Sequence, residues 1–187
     1  MKNKYFKDLA RLFSKIAVTA EHGNALNFDK AIKKIIKEIT ARNKEGNKVI
    51  IIGNGGSAAI ANHISTDLLK NAHIAAIAFS DPSLITCVSN DLGFEYIFEK
   101  PISLLAHKAD TLFSISSSGK SRNILGATNV ARTKGCFVVT FSGFDEDNAL
   151  RGLGNINFYV PSGSYGFVEI THTAICHYIV DILTHKK

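Results

Sequence analysis

Two stretches of small and hydroxyl-bearing residues each stand between an apolar run and a segment with a helical pattern. The first, G-N-G-G-S-A-A, occupies residues 53–59, and the second, S-S-S-G-K-S, occupies residues 116–121. Glycine lets the backbone approach a ligand closely, and the N–H groups that begin a helix favour an anion. Both stretches therefore predict a phosphate site, with an ordinary strand-to-helix turn and a serine-rich helix cap as the alternatives.

Neither stretch fits the common nucleotide motifs. A dinucleotide fingerprint at residues 53–58 would need an acid about 20 residues further on, and the next candidate is Asp81. A Walker loop that ends at Ser121 would need glycine at position 114, where this chain has serine. NAD and nucleoside triphosphate chemistry are therefore disfavoured.

Histidines and carboxylates recur at helical spacing. His63 and Asp67 are four residues apart and share a face of the helix predicted after the first stretch. The last predicted helix carries Glu169 and His177 on one side, with His172 between them. Such groups can bind a metal or divide acid and base roles. The alternatives are a surface hydrogen bond for the first pair and a core histidine bonded to backbone on the last helix.

The elements that position these residues follow from hydrophobic periodicity. Short apolar runs predict five buried strands, at residues 49–52, 74–79, 112–116, 137–141 and 156–160. Helical segments at 57–71 and 121–134 connect strands, which should therefore be parallel. Two amphipathic helices open the chain. We expect a three-layer, doubly wound α/β sandwich with a mostly parallel five-stranded sheet, formed as one domain from residues 1–187 (helical pair 1–47, α/β core 48–187).

Composition narrows the class of protein. With 45% hydrophobic residues and three cysteines in 187 residues, the chain is neither disordered nor stapled by disulfides. The cysteines predict reduced core thiols, and no segment reaches membrane-spanning length, so we expect an unprocessed cytoplasmic protein. The net charge of +6 comes from residues 1–48 and predicts a solvated helix face, with an acidic partner as the alternative. The last helix, residues 167–183, is apolar on nearly every side, which favours a subunit interface.

In combination, these motifs resemble the SIS (sugar isomerase) domain family, and within it the bacterial phosphoheptose isomerases. The resemblance rests on the first stretch with His63 ten residues after Gly53, N-D-L-G-F-E at residues 90–95, the second stretch, and the acid and histidine of the last helix. It implies interconversion of sedoheptulose 7-phosphate and glycero-manno-heptose 7-phosphate, or of a related sugar phosphate. It also implies a homotetramer with active sites between subunits, and a role in lipopolysaccharide or capsule synthesis.

The resemblance also implies roles for individual residues. Those that bind the substrate and its phosphate are Asn54, Gly55, Gly56, Ser57, Asp91, Ser116, Ser117, Ser118 and Ser121. Those that hold zinc are His63, Asp67, Glu169 and His177, of which Asp67, Glu169 and His177 are also the catalytic candidates. The family has glutamate at the position of Asp67 and glutamine at that of Glu169. The first change shortens the expected base by one methylene, and the second adds a negative charge.

Two other functions compete with an isomerase. A sugar-phosphate-binding regulator or scaffold without turnover is favoured by the shortened acid and opposed by the histidines at both metal positions. A nucleic-acid-associated protein would require the basic residues of the N-terminal helices to cluster on one accessible face. Lys120 and Arg122, where the family has asparagine and proline, add positive charge at the second stretch and suggest a different sugar.

Overall fold

Strands and helices alternate along most of the chain in the computed structural model, which describes residues 2–185. The strands are β1 (Ala17–Ala20), β2 (Val49–Gly53), β3 (Ala76–Ala78), β4 (Thr111–Ser116), β5 (Phe137–Ser142) and β6 (Ile156–Tyr159). The α-helices are α1 (Lys2–Phe13), α2 (Phe28–Lys44), α3 (Gly56–Lys70), α4 (Pro82–Asp91), α5 (Glu99–Leu105), α6 (Arg122–Thr133) and α7 (Tyr165–His185). The doubly wound α/β class is the one predicted.

The six strands form one sheet in the order β1-β6-β5-β4-β2-β3, and every neighbouring pair is parallel except β1 with β6. Gly53 at the end of β2 lies opposite Ile115 near the end of β4. The glycine stretch and the serine stretch therefore begin side by side at the carboxyl edge of the sheet, where open parallel sheets bind ligands.

Two apolar cores cover the two faces of the sheet and make three layers. Successive side chains of a strand point to opposite faces, so Ile51 packs with α2, α3 and α7, whereas Ile50 and Ile52 pack with α4, α5 and α6. Ile64 of α3 and Ile124 of α6 are fully buried, one in each core. Both helices are therefore anchored to the sheet by buried side chains.

The prediction of five strands is wrong by one. The segment expected to hold only a helical pair contains β1, whose four residues pair antiparallel with β6 at the edge of the sheet. A strand this short shows no alternation that can be recognised in the sequence. The strand predicted at residues 74–79 is likewise reduced to the three residues of β3.

The helix α7 is buried on one side only within this chain. Ile175 and Ile179 are in the core, while Tyr165, Ile170 and Tyr178 are exposed. The three cysteines are free thiols, but Cys87 is exposed on α4 and is not the core residue expected from its apolar neighbours. Among the described helices, none combines the length and the apolar character needed to cross a membrane.

Candidate functional site

A cleft of about 340 Å³ opens at the carboxyl edge of the sheet, between the glycine stretch, the serine stretch and the start of α7. Its lining consists of Asn54, Gly55, Gly56, Ser57, Ile115, Ser116, Ser117, Ser118, Ser121, Tyr165 and Glu169. All the predicted phosphate residues are there except Asp91. Tyr165 was not anticipated from the sequence, since an aromatic residue at a helix start carries no distinctive signal.

The glycine stretch forms the turn from β2 into α3. Gly55 has a φ of 53° and a ψ of −121°, a conformation that a residue with a side chain rarely adopts. The turn places the first N–H groups of α3 and the buried Ser57 at the cleft. Asn54, expected to bind sugar, instead exchanges two hydrogen bonds with the side chain of Asn123, at 2.9 and 2.8 Å. Asn54 therefore joins the glycine stretch to the first turn of α6, directly after the serine stretch.

The serine stretch presents hydroxyl groups to the same cleft. Ser116 Oγ donates to Ser121 Oγ at 3.3 Å, and Ser118 Oγ accepts from the Lys120 N–H at 3.3 Å. The hydroxyl of Ser117 is buried and has no hydrogen-bond partner among the described residues. A buried hydroxyl left unpaired costs about 1–3 kcal/mol. An anion that accepts from Ser117 would remove this cost.

The two basic residues of the second stretch do not line the cleft. Lys120 Nζ lies 2.6 Å from Asp145 Oδ2, and this carboxylate raises the pKa of the lysine. Arg122 is exposed. Gly119, with a φ of 63°, lies against Asn148, whose carboxamide occupies the space that a Cβ at Gly119 would need. Lys120 and Arg122 therefore lie near the cleft, but neither side chain lines it.

Three of the four predicted metal ligands come together on α3 and α7. Asp67 Oδ2 lies 3.4 Å from His63 Nε2 and 3.8 Å from His177 Nδ1, and the two imidazole rings are 5.1 Å apart. Asn71 donates to the other oxygen of Asp67 at 3.2 Å, which orients the carboxylate. Ligands around a tetrahedral zinc ion are about 3.4 Å apart. The chemistry and the spacing of this donor set therefore fit zinc.

The fourth predicted ligand, Glu169, lies at the other end of the site. Its carboxylate is over Gly56, where an added Cβ would be 2.5 Å from a carboxylate oxygen. In the part of the chain that the structure describes, Glu169 is outside the group formed by His63, Asp67 and His177. Eight residues separate it from His177, which is about 12 Å along a helix. Glu169 therefore belongs to the phosphate end of the cleft.

His172 and Asp91 are not part of this arrangement. His172 is completely buried, Nε2 donates to the Ser142 carbonyl at 3.1 Å, and burial lowers its pKa to about 4 against the opposing effect of that bond. It is the core histidine that the sequence left open as an alternative. Asp91 is exposed at the end of α4 and accepts from Asn90 at 2.8 Å. Its contact with substrate stays a prediction.

Comparisons with known proteins agree with this geometry. The family model for the SIS domain matches residues 4–143. The phosphoheptose isomerase of Helicobacter hepaticus is 39% identical over 159 residues, which are 82% of this chain and 81% of that protein. The phosphoheptose isomerase structure from Francisella tularensis superposes with a TM-score of 0.84 at 30% identity, covering 98% of this chain and 96% of that one. The structure from Neisseria gonorrhoeae gives 0.82 at 25% identity, covering 97% and 96%. The chain therefore belongs to the SIS domain family, beside the phosphoheptose isomerases.

Proposed function

We propose that this protein is an aldose–ketose isomerase that interconverts sedoheptulose 7-phosphate and glycero-manno-heptose 7-phosphate. The relatives at 39% and 30% identity carry the name phosphoheptose isomerase. One observation carries the proposal from the structural side. The helix α3 begins in the serine-lined cleft at Gly56 and bears His63 and Asp67 two to three turns further on, against His177.

The length of α3 between these two features suits a seven-carbon substrate. Seven residues from Gly56 to His63 correspond to about 10 Å of helix. An extended heptose 7-phosphate also spans about 10 Å from phosphorus to carbon 1, at about 1.2 Å per bond. A triose phosphate spans about half of that. With its phosphate at the start of α3, only the longer sugar brings carbons 1 and 2 to the histidines.

The phosphate end of the site serves to position the substrate. The unpaired hydroxyl of Ser117 and the other serine hydroxyls that line the cleft can donate to one anion, and the start of α3 adds a partial positive charge. The N–H groups of Ser57 and Ala58 already donate to the Asn54 carbonyl, at 2.9 and 3.3 Å. Fixing the phosphate fixes the distance of the carbonyl carbon from Asp67. Positioning of this kind accounts for a large part of the rate enhancement of many enzymes.

The proton transfers are assigned to the far end. Asp67 removes the proton from the carbon beside the carbonyl, giving an enediol, and returns it to the neighbouring carbon. His177, whose Nδ1 is 3.8 Å from Asp67 Oδ2, moves the second proton between oxygens 1 and 2. General acid and base groups each contribute about 10²- to 10⁴-fold. Glu169, the other candidate base and ligand, would have to turn from Gly56 toward His177 to take part.

A zinc ion would be held by His63, Asp67 and His177, which are the donors whose spacing fits it. When bound there, zinc supplies Lewis-acid polarisation of the carbonyl or hydroxyl oxygen.

We also propose that the protein is a homotetramer in the cytoplasm. Exposed apolar side chains on α1 and α7, among them Phe6, Ile170 and Tyr178, support a homotetramer with active sites between subunits. Three free thiols support the cytoplasm. We take residues 1–187 to act as one domain. Light scattering that gives the mass of four chains would agree with the assembly.

The experiment that tests the activity is proton NMR in deuterium oxide with sedoheptulose 7-phosphate and shorter ketose phosphates, in the presence of zinc. We expect loss of the carbon-1 proton signal and appearance of the aldose with the heptose. Asp67→Asn should abolish the exchange, whereas Asp8→Asn, a half-buried acid on α1 paired with Arg11, should not. Undiminished exchange by Asp67→Asn would remove Asp67 from the role of base. Absence of exchange by the native protein, despite phosphate binding, would instead indicate a sugar-phosphate-binding regulator.

A further inference from the structure

The charge of the cleft is unsuited to a phosphate as it stands. Of the 11 residues that line it, none is basic and one, Glu169, is acidic. The start of α3 supplies only a partial positive charge. A phosphate dianion would therefore lie beside a carboxylate in a confined space, where like charges repel more strongly than in bulk water. A cation at the rim of the cleft would offset this repulsion.

Lys120 is the basic residue that the serine stretch places at this rim. Its own N–H donates to Ser118 Oγ at 3.3 Å, so its backbone adjoins the cleft lining. Its ammonium group lies 2.6 Å from Asp145 Oδ2, and the two side chains are 61% and 59% exposed. Exposed ion pairs of this kind are weak and exchange partners readily. The long lysine side chain can then turn toward the cleft.

Asp145 is itself held in place against the serine stretch. The buried Asn148 donates to the Asp145 carbonyl at 2.7 Å and to the Gly143 carbonyl at 3.3 Å. The Gly143 N–H in turn donates to the Ser117 carbonyl at 2.9 Å. The acidic turn and the serine stretch are therefore linked through their backbones, which places Asp145 within reach of Lys120.

We propose that Lys120 is the phosphate-binding cation of this cleft, and that Asp145 is a positioning residue that holds it at the rim until the phosphate takes its place as partner. The proposal deepens the proposed function and rests on it only in taking the ligand to be a phosphate ester. When the phosphate binds, Lys120 leaves the monovalent carboxylate of Asp145 and pairs with a dianion that also accepts hydrogen bonds from the serine hydroxyls. Lys120 then offsets the charge of Glu169 as well.

The test is calorimetric titration of the full chain with inorganic phosphate at low salt. Lys120→Met should weaken binding by about tenfold or more, the value of one charge-assisted hydrogen bond. Asp145→Asn, which frees the lysine, should tighten it severalfold. The double variant should bind like Lys120→Met, because Asp145 acts only through Lys120. Lys108→Met, at the opposite edge of the sheet, is the matched control and should leave the affinity unchanged.

A kinetic readout separates this role from a structural one. With sedoheptulose 7-phosphate, Lys120→Met should raise KM by a similar factor and leave kcat nearly unchanged. Equal phosphate affinity of Lys120→Met and the native chain would overturn the proposal, as would additive effects in the double variant. If the phosphate affinities are as predicted but the native chain shows no deuterium exchange, the isomerase proposal is refuted and the role of Lys120 in phosphate binding remains supported. Intact exchange with no effect of Lys120→Met would refute only the role of Lys120.

Discussion

Replacing His172 should change how the stability of the protein depends on pH. The imidazole is completely buried, and burial lowers its pKa from the ordinary 6.5 to about 4, although the bond to the Ser142 carbonyl acts in the opposite direction. Between these two values the unfolded chain binds a proton that the folded chain does not. The stability that neutral His172 contributes is therefore complete above pH 6.5 and is lost as the pH falls toward 4.

The size of the effect follows from the gap between the two pKa values. A difference of about 2.5 units corresponds to about 3 kcal/mol in the free energy of unfolding. About 2 kcal/mol of it should disappear between pH 7.5 and pH 5.

Urea unfolding at these two pH values, at one fixed protein concentration, measures this loss. His172→Asn removes the titrating group, so its free energy of unfolding should fall by about 2 kcal/mol less than that of the native chain over the same interval. Cys176→Ala is the control, because it opens a cavity on the same buried face of α7 and should cost equal stability at both pH values. His172→Gln serves if the asparagine variant does not fold. The same pH dependence in the native chain and in both histidine variants would refute the reasoning.

Two further substitutions test the scaffold of the site. The buried Asp110, 1% exposed, accepts from Lys48 Nζ at 2.6 Å and from the Lys48 and His107 N–H groups at 2.9 and 2.8 Å. Asp110→Asn leaves this buried network half-paired, so the free energy of unfolding should fall by about 3 kcal/mol in urea titrations. Gly119→Ala should weaken phosphate binding measured by calorimetry, because its Cβ collides with Asn148. Gly46→Ala, at a φ of 83° with open space around it, is the control: it should cause similar backbone strain and leave the affinity for phosphate unchanged.

Much of the scaffold was predictable because its signals are local. The strands β2, β4 and β5 are mostly apolar and buried on both faces, and their predicted bounds are within one residue of the observed ones. The two stretches that follow β2 and β4 line one cleft, as expected from parallel strands. The edge strand β1 was missed because it is defined by hydrogen bonds to β6, more than a hundred residues away, and not by its own four residues.

The arrangement within the site was less accessible from the sequence. Helical spacing indicated that Glu169 and His177 lie on one side of α7, but spacing does not say which end of a cleft each residue occupies. The positive charge of Lys120 could be located on the serine stretch from sequence alone. Its partner Asp145 is 25 residues away in a turn, and only packing through Asn148 brings the two together.

The reciprocal bonds between Asn54 and Asn123 have a consequence for motion. Each side chain donates an N–H to the oxygen of the other, and Asn123 Oδ1 also accepts from the Ile124 N–H at 3.0 Å. These bonds connect the two sides of the cleft floor. We expect them to move as one rigid body on the timescale of turnover. The start of α7 is also anchored, because Val168 is fully buried against Leu12 and Val160. Adjustment to a ligand would then fall to exposed side chains of the lining such as Tyr165, which is 62% exposed. The phosphate-binding floor would then keep one shape with and without ligand.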